Sequence, residues 1–121
     1  MNPVTYFEIP VQDLDRAVRF YEKVFDVKLE RGSIHGNDMA FFPAFPDQPG
    51  ITGSLARGDS YVPGKQGTRV YFNTANIEQT LQLVSDIGGS VLFPKTSVGE
   101  SGWVAEFEDS EGNCIALCSK G

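Results

Sequence analysis

A chain of 121 residues, 40% hydrophobic and 21% charged, has the size of one domain with a sizeable core and lies away from the disordered class. Its net charge of −6 repels phosphate backbones, which excludes nucleic acid as an expected partner. No apolar run approaches the roughly 18 residues needed to cross a bilayer, and the N-terminus lacks the basic-then-apolar build of a signal peptide, so the expectation is a cytoplasmic protein with no membrane partner.

Taken in order, residues 6–11 alternate, with Phe7, Ile9 and Val11 on one side and Tyr6, Glu8 and Pro10 on the other, which predicts a strand. The period then changes. Leu14, Ala17, Val18, Tyr21, Val24 and Phe25 form one stripe of a helix, with Asp13 placed to cap it. Short strands are predicted over residues 27–30, 38–44 and 51–57, with loops over 31–37 and 45–50. Residues 58–68 carry three glycines and a proline without apolar period, and read as an internal boundary. Beyond it the opening pattern returns. Residues 68–74 alternate, and Ile77, Thr80, Leu81, Val84 and Ile87 recur at helical steps behind Asn76, with Gln79 placed for a capping box and Gly88 and Gly89 as the stop. Strands over 91–93, 103–108 and 114–119 follow, separated by a loop over 94–102 and a turn over 109–113.

The two halves match at an offset of 63 residues, as between Asp13 and Asn76. Strand, helix and three strands occur twice, so the expected class is α+β, a tandem βαβββ repeat in a single domain, with modules of about residues 1–58 and 66–121 and helices on the outside. Cys114 and Cys118 stand four apart on an extended segment, roughly 13 Å at about 3.3 Å per residue, too far for a disulfide. Both are expected as free thiols on one side of the last strand.

Ile9-Pro-Val-Gln-Asp-Leu-Asp-Arg-Ala with Phe20-Tyr21, then Gly88-Gly89, then Phe107-Glu-Asp-Ser-Glu-Gly-Asn-Cys-Ile-Ala-Leu, together resemble the signatures of the vicinal oxygen chelate superfamily. That superfamily includes glyoxalase I, extradiol dioxygenases, and bleomycin and fosfomycin resistance proteins. The resemblance implies a cup-shaped mixed sheet, a small-molecule ligand and a homodimer. In metal-dependent members the ligands come from the first strand and a late strand of each module. Carried over by position, these fall on Tyr6, Arg69 and Ala116, with the remaining one near residues 53–55, which offer no His, Glu or Asp. A guanidinium has no lone pair to give and Ala116 has no donor, so the resemblance implies the scaffold without its metal: no cofactor is expected.

Strand parity then nominates the cup lining: Tyr6, Glu8, Arg69, Tyr71, Asn73, Glu106, Cys114, Ala116 and Cys118. Arg69 either holds an anionic group of a ligand or is neutralised by Glu8 or Glu106. The leading expectation is a metal-free binder of an organic molecule. The alternatives are a lyase or isomerase with Glu8 or Glu106 as base beside Arg69, and a structural or regulatory domain whose cup is filled by its own side chains. His35 reads as a solvated loop residue, and residues 109–113 as a turn rather than a calcium loop.

Overall fold

The computed structural model describes residues 1–121. It contains β1 (Phe7–Pro10), α1 (Leu14–Phe25), β2 (Glu30–Ile34), β3 (Asn37–Phe41) and β4 (Gly53–Arg57), then β5 (Tyr71–Asn73), α2 (Ile77–Asp86), β6 (Ser90–Ser97), a 3-10 turn (Gly99–Ser101), β7 (Trp103–Glu108) and β8 (Cys114–Ser119). The strands form two four-stranded sheets of the same order, β1-β4-β3-β2 and β5-β8-β7-β6. In each, the first strand runs parallel to the last and the other neighbours are antiparallel. The expected α+β architecture, one βαβββ pattern used twice, is the one observed.

The helices form where their caps and stripes dictate. Asp13 accepts from the Arg16 amide at 3.0 Å, and the stripe from Leu14 to Val24 is buried. Asp26 ends the helix in the left-handed region at φ 51°. Asn76 accepts from the Gln79 amide at 3.0 Å, but the capping box is not closed: Thr74 Oγ1, not the Gln79 side chain, takes the Asn76 amide at 3.2 Å. Each helix packs on its own sheet, α1 on β3 and β4, α2 on β6, β7 and β8, and the two helices touch. A single apolar core unites both halves. Phe25 stacks on Phe72 at 4.4 Å, and Phe20 meets Phe107 at 5.9 Å, so α1 also packs against the second sheet. Phe20 and Phe107, which are fully buried, are each worth about 1.5–3 kcal/mol of transfer free energy; Phe25 and Phe72 are only partly buried.

Several strand boundaries differ from expectation: β3 ends at Phe41 rather than at residue 44, β4 starts at Gly53 rather than at 51, and β5 covers Tyr71–Asn73 rather than 68–74. Residues 27–29 form no strand; β2 starts at Glu30 and runs through the predicted loop to Ile34. It turns into β3 over His35 (φ 51°) and Gly36 (φ 79°), the positive-φ pair a two-residue hairpin needs. Likewise β6 extends to Ser97 through residues expected as loop. Both are edge strands of mainly exposed residues, which carry no in-out alternation to read.

Candidate functional site

β1 turns Phe7 and Ile9 toward the core and Glu8 to the opposite side. Just before it, the Tyr6 hydroxyl lies 2.5 Å from Oγ of Ser54, a fully buried residue of β4 that pairs in register with Glu8. Glu8 does not meet Arg69. Its Oε1 accepts from the hydroxyl of Tyr61 at 2.8 Å, and this bond pushes the Tyr61 phenol above its ordinary pKa.

Arg69 precedes β5 and belongs to the second half. Its Nε donates to Glu106 Oε2 at 3.2 Å, and its Nη1 to the carbonyls of Lys65 at 3.1 Å and Gly67 at 3.5 Å. No acceptor within the protein takes a hydrogen bond from Nη2. The Glu106 bond raises the guanidinium pKa further. Beside it, Cys114 Sγ donates to Glu106 Oε1 at 3.7 Å; burial, then the Glu106 charge, push this thiol upward. Ala116 sits opposite both Tyr71 and Glu106 in the ladder. Cys118 Sγ donates to Asn73 Oδ1 at 3.5 Å. Both cysteines are free, as expected.

The nominated residues do not line one cup. Tyr6, Arg69, Tyr71 and Asn73 share a cavity of about 700 Å³ whose walls are mostly apolar: Phe25, Phe42, Phe45 and Phe72 contribute to it, and Arg69 is its sole charged lining residue. Glu8 and Cys114 line a different, more polar cavity of about 730 Å³, beside Lys65, Gln66 and Asn113. Cys118 lines a smaller one of about 350 Å³, and Glu106 and Ala116 line none of the three. The 63-residue offset relates the two larger cavities: residues 7–10 and 112–115 of the polar one answer residues 70–73 and 49–52 of the apolar one.

Sequence reasoning missed Phe42 and Phe45, which lie in or beside the stretch 43–50. Three prolines there signalled a loop, while its two flanking rings signalled that it has something to cover. Tyr61 was missed because it lies in the apparent linker.

The metal-ligand positions do not fit a divalent ion. Tyr6 has its hydroxyl engaged by Ser54, Arg69 is a cation, Ala116 has no donor, and nowhere do three His, Cys, Asp or Glu side chains converge.

A paired βαβββ scaffold with an apolar cavity where the two halves meet places the chain among proteins built on this repeat. The chain belongs to the glyoxalase/bleomycin resistance protein/dioxygenase superfamily, whose model matches residues 4–117. A glyoxylase-like domain-containing protein of Didymella fabae is 30% identical, over 97% of this chain and 93% of its own. TnmS3, an antibiotic-binding protein from Streptomyces sp. CB03234, is 24% identical and superposes with a TM-score of 0.71 over 100% of this chain and 98% of its own. A glyoxalase I variant from Zea mays superposes with a TM-score of 0.70 at 18% identity, covering 98% of this chain. This chain spans about half the length of the maize enzyme, 46% of it. Both superpositions speak to the fold. No helix is long and apolar enough to cross a membrane.

Proposed function

We propose that the protein binds a small organic molecule without a metal, in the apolar cavity beside Tyr6, Arg69, Tyr71 and Asn73. The observation that carries this reading is the cavity itself: about 700 Å³, mostly apolar, with one charged residue on its wall, the size and composition expected of a ligand pocket. An open cavity argues against a cup filled by its own side chains. The antibiotic binding named for the Streptomyces relative in fold supports the same reading by analogy. A lyase or isomerase using Glu106 is the second reading, because Glu106 lies 3.2 Å from Arg69, whereas Glu8 is engaged by Tyr61.

The remaining expectations belong to this proposal too: one domain with modules of about residues 1–58 and 66–121, a cytoplasmic location and a homodimer. The edge strand β6 exposes Val91, Leu92 and Phe93, which supports pairing with a second copy. Light scattering at micromolar concentration should return twice the chain mass; a stable monomer rejects the dimer.

Thermal shift against a panel of metabolites and antibiotics, with and without divalent metals, tests the main reading. A ligand at 100 times its Kd stabilises by about 2.7 kcal/mol. At least one organic compound should raise Tm, and metals alone should not. A panel without effect, or a metal-dependent gain, rejects the reading; turnover of a bound compound that Glu106→Gln abolishes would replace it with the enzyme.

A further inference from the structure

The apolar cavity is specific about what its polar edge can recognise. Arg69 is its one charged lining residue, yet Glu106 already accepts from Nε, outside the cavity lining. The next ion pair, Lys65 Nζ to Glu108 Oε1 at 3.3 Å, is also balanced. Two cations and two carboxylates leave no net charge here. What Arg69 still has to give is hydrogen-bond donation: Nη2 is without a partner, while the carbonyls of Lys65 and Gly67 hold Nη1 in place. Asn73 adds to this edge, with its Oδ1 taken by the Cys118 thiol and its amide nitrogen in no hydrogen bond. The walls are rings. Phe25 and Phe72 stack on each other, Phe42 meets Phe72 edge-on, and Phe45, 64% exposed, stands in the loop at the cavity.

Resting on the binding function proposed above, we propose that the ligand is an uncharged planar aromatic molecule bearing a carbonyl oxygen, which accepts a hydrogen bond from Arg69 while its rings lie against the phenylalanine walls. Glu106 sets this preference. It cancels the charge of Arg69, so a carboxylate entering this open, partly solvated site gains little net attraction for the hydration it gives up, whereas a neutral acceptor takes the free N–H groups at a smaller desolvation cost. Flat rings fit because aromatic walls reward stacked and edge-to-face contact.

Three probes of nearly equal shape separate the terms: 2-acetylnaphthalene, 2-naphthoate and 2-ethylnaphthalene, titrated by calorimetry or tyrosine and tryptophan fluorescence. The acetyl compound should bind about tenfold more tightly than the ethyl compound, the factor expected for one hydrogen bond from a charged donor, and about tenfold more tightly than the carboxylate at neutral pH. Glu106→Gln should bring the carboxylate level with or ahead of the acetyl compound. Arg69→Met should erase the difference between acetyl and ethyl; should that variant fail to fold, Glu106→Gln alone decides. Equal binding of acetyl and ethyl compounds, tighter binding of the carboxylate by the unmodified protein, or no binding of any probe up to its solubility limit overturns the inference. None of these outcomes rejects the broader binding function, which fails only with the wide panel.

Discussion

The two large cavities occupy equivalent places in the two halves, yet one is latched and the other is open. At the polar cavity, Asn113 acts as a wedge: Nδ2 donates to the Pro10 carbonyl at 2.8 Å, and Oδ1 accepts from the Gly64 amide at 3.0 Å. The answering position at the apolar cavity is Gly50, at φ 100°, where a side chain would be strained and none is present to reach Asn73. The turn behind Asn113 goes further. Asp109 accepts from the Tyr21 hydroxyl at 2.6 Å and from the amides of Glu111 and Asn113, while Glu111 accepts from the amides of Gln12 and Asp13 and pairs with Arg16. At the apolar cavity the answering residues are Pro46 for Asp109 and Gln48 for Glu111 from the first half, with Val84 of the second half in the place of Tyr21. One backbone pattern therefore yields a fastened end and a free end, and the choice lies in a handful of side chains.

Cutting the latch should give the largest effect. Asp109→Ala strands the Tyr21 hydroxyl and several amides in a buried site, so urea unfolding should show a loss of about 3 kcal/mol or more. A loss under about 1 kcal/mol would mean the two ends are fastened equally. Next comes Ile51→Trp, at the free end, set against Val62→Trp, at the latched one; each residue lines its own cavity and is exposed. Both should leave stability within about 0.5 kcal/mol. Ile51→Trp should weaken ligand binding about tenfold or more, because it fills the space a ligand needs, and Val62→Trp should leave it unchanged. The reverse would move the site to the polar cavity.

Acid should loosen the latch by a smaller amount. Burial works upward on the Glu111 carboxyl, but bonds from Arg16, Asp13, Ser110 and Gln12 outweigh it and bring the pKa from 4.5 to about 2. A carboxyl depressed in the folded state contributes stability that is complete above its unfolded pKa and lost as pH falls from about 4.5 toward 2. Asp109, which burial raises, has the opposite sign: its share of stability grows as pH falls through its raised pKa. Denaturation midpoints between pH 5 and pH 2.5 should therefore fall less steeply in Glu111→Gln than in the unmodified protein; a steeper fall would contradict the assignment. The smallest effect concerns the thiols. Cys118, half-buried and bonded to Asn73, should react with a thiol reagent faster than the buried Cys114, and ligand should slow Cys118 alone, through Asn73, which lines both its cavity and the apolar one.

The strands whose two faces differ were legible. Phe7 and Ile9 against Glu8, and Ile115 and Leu117 against Cys114 and Ala116, alternate because one face meets a helix, and that contrast is written in residue type. Asp13 and Asn76 announced both helix starts for the same local reason. The outer strand β2 was illegible, since Arg31 to Ile34 are all exposed and the ladder to β3 is purely backbone. The candidate site was half legible. Parity put Arg69 and Glu106 on one face, where they pair, but it could not separate two cavities that use the same strands. Nor could it find Tyr61, whose bond to Glu8 depends on how residues 58–68 cross the sheet.

The Tyr21 to Asp109 bond spans 88 residues. During synthesis, at about 5–20 residues per second, α1 emerges several seconds before its partners in the second sheet exist. Through that interval Phe20, Tyr21 and Phe25, which in the finished protein pack against Phe72 and Phe107, have no second sheet to cover them. A ribosome stalled at residue 60 would thus display an aromatic helix face awaiting a chaperone, and a chain released before Asp109 would be a substrate for proteolysis rather than a stable half-protein.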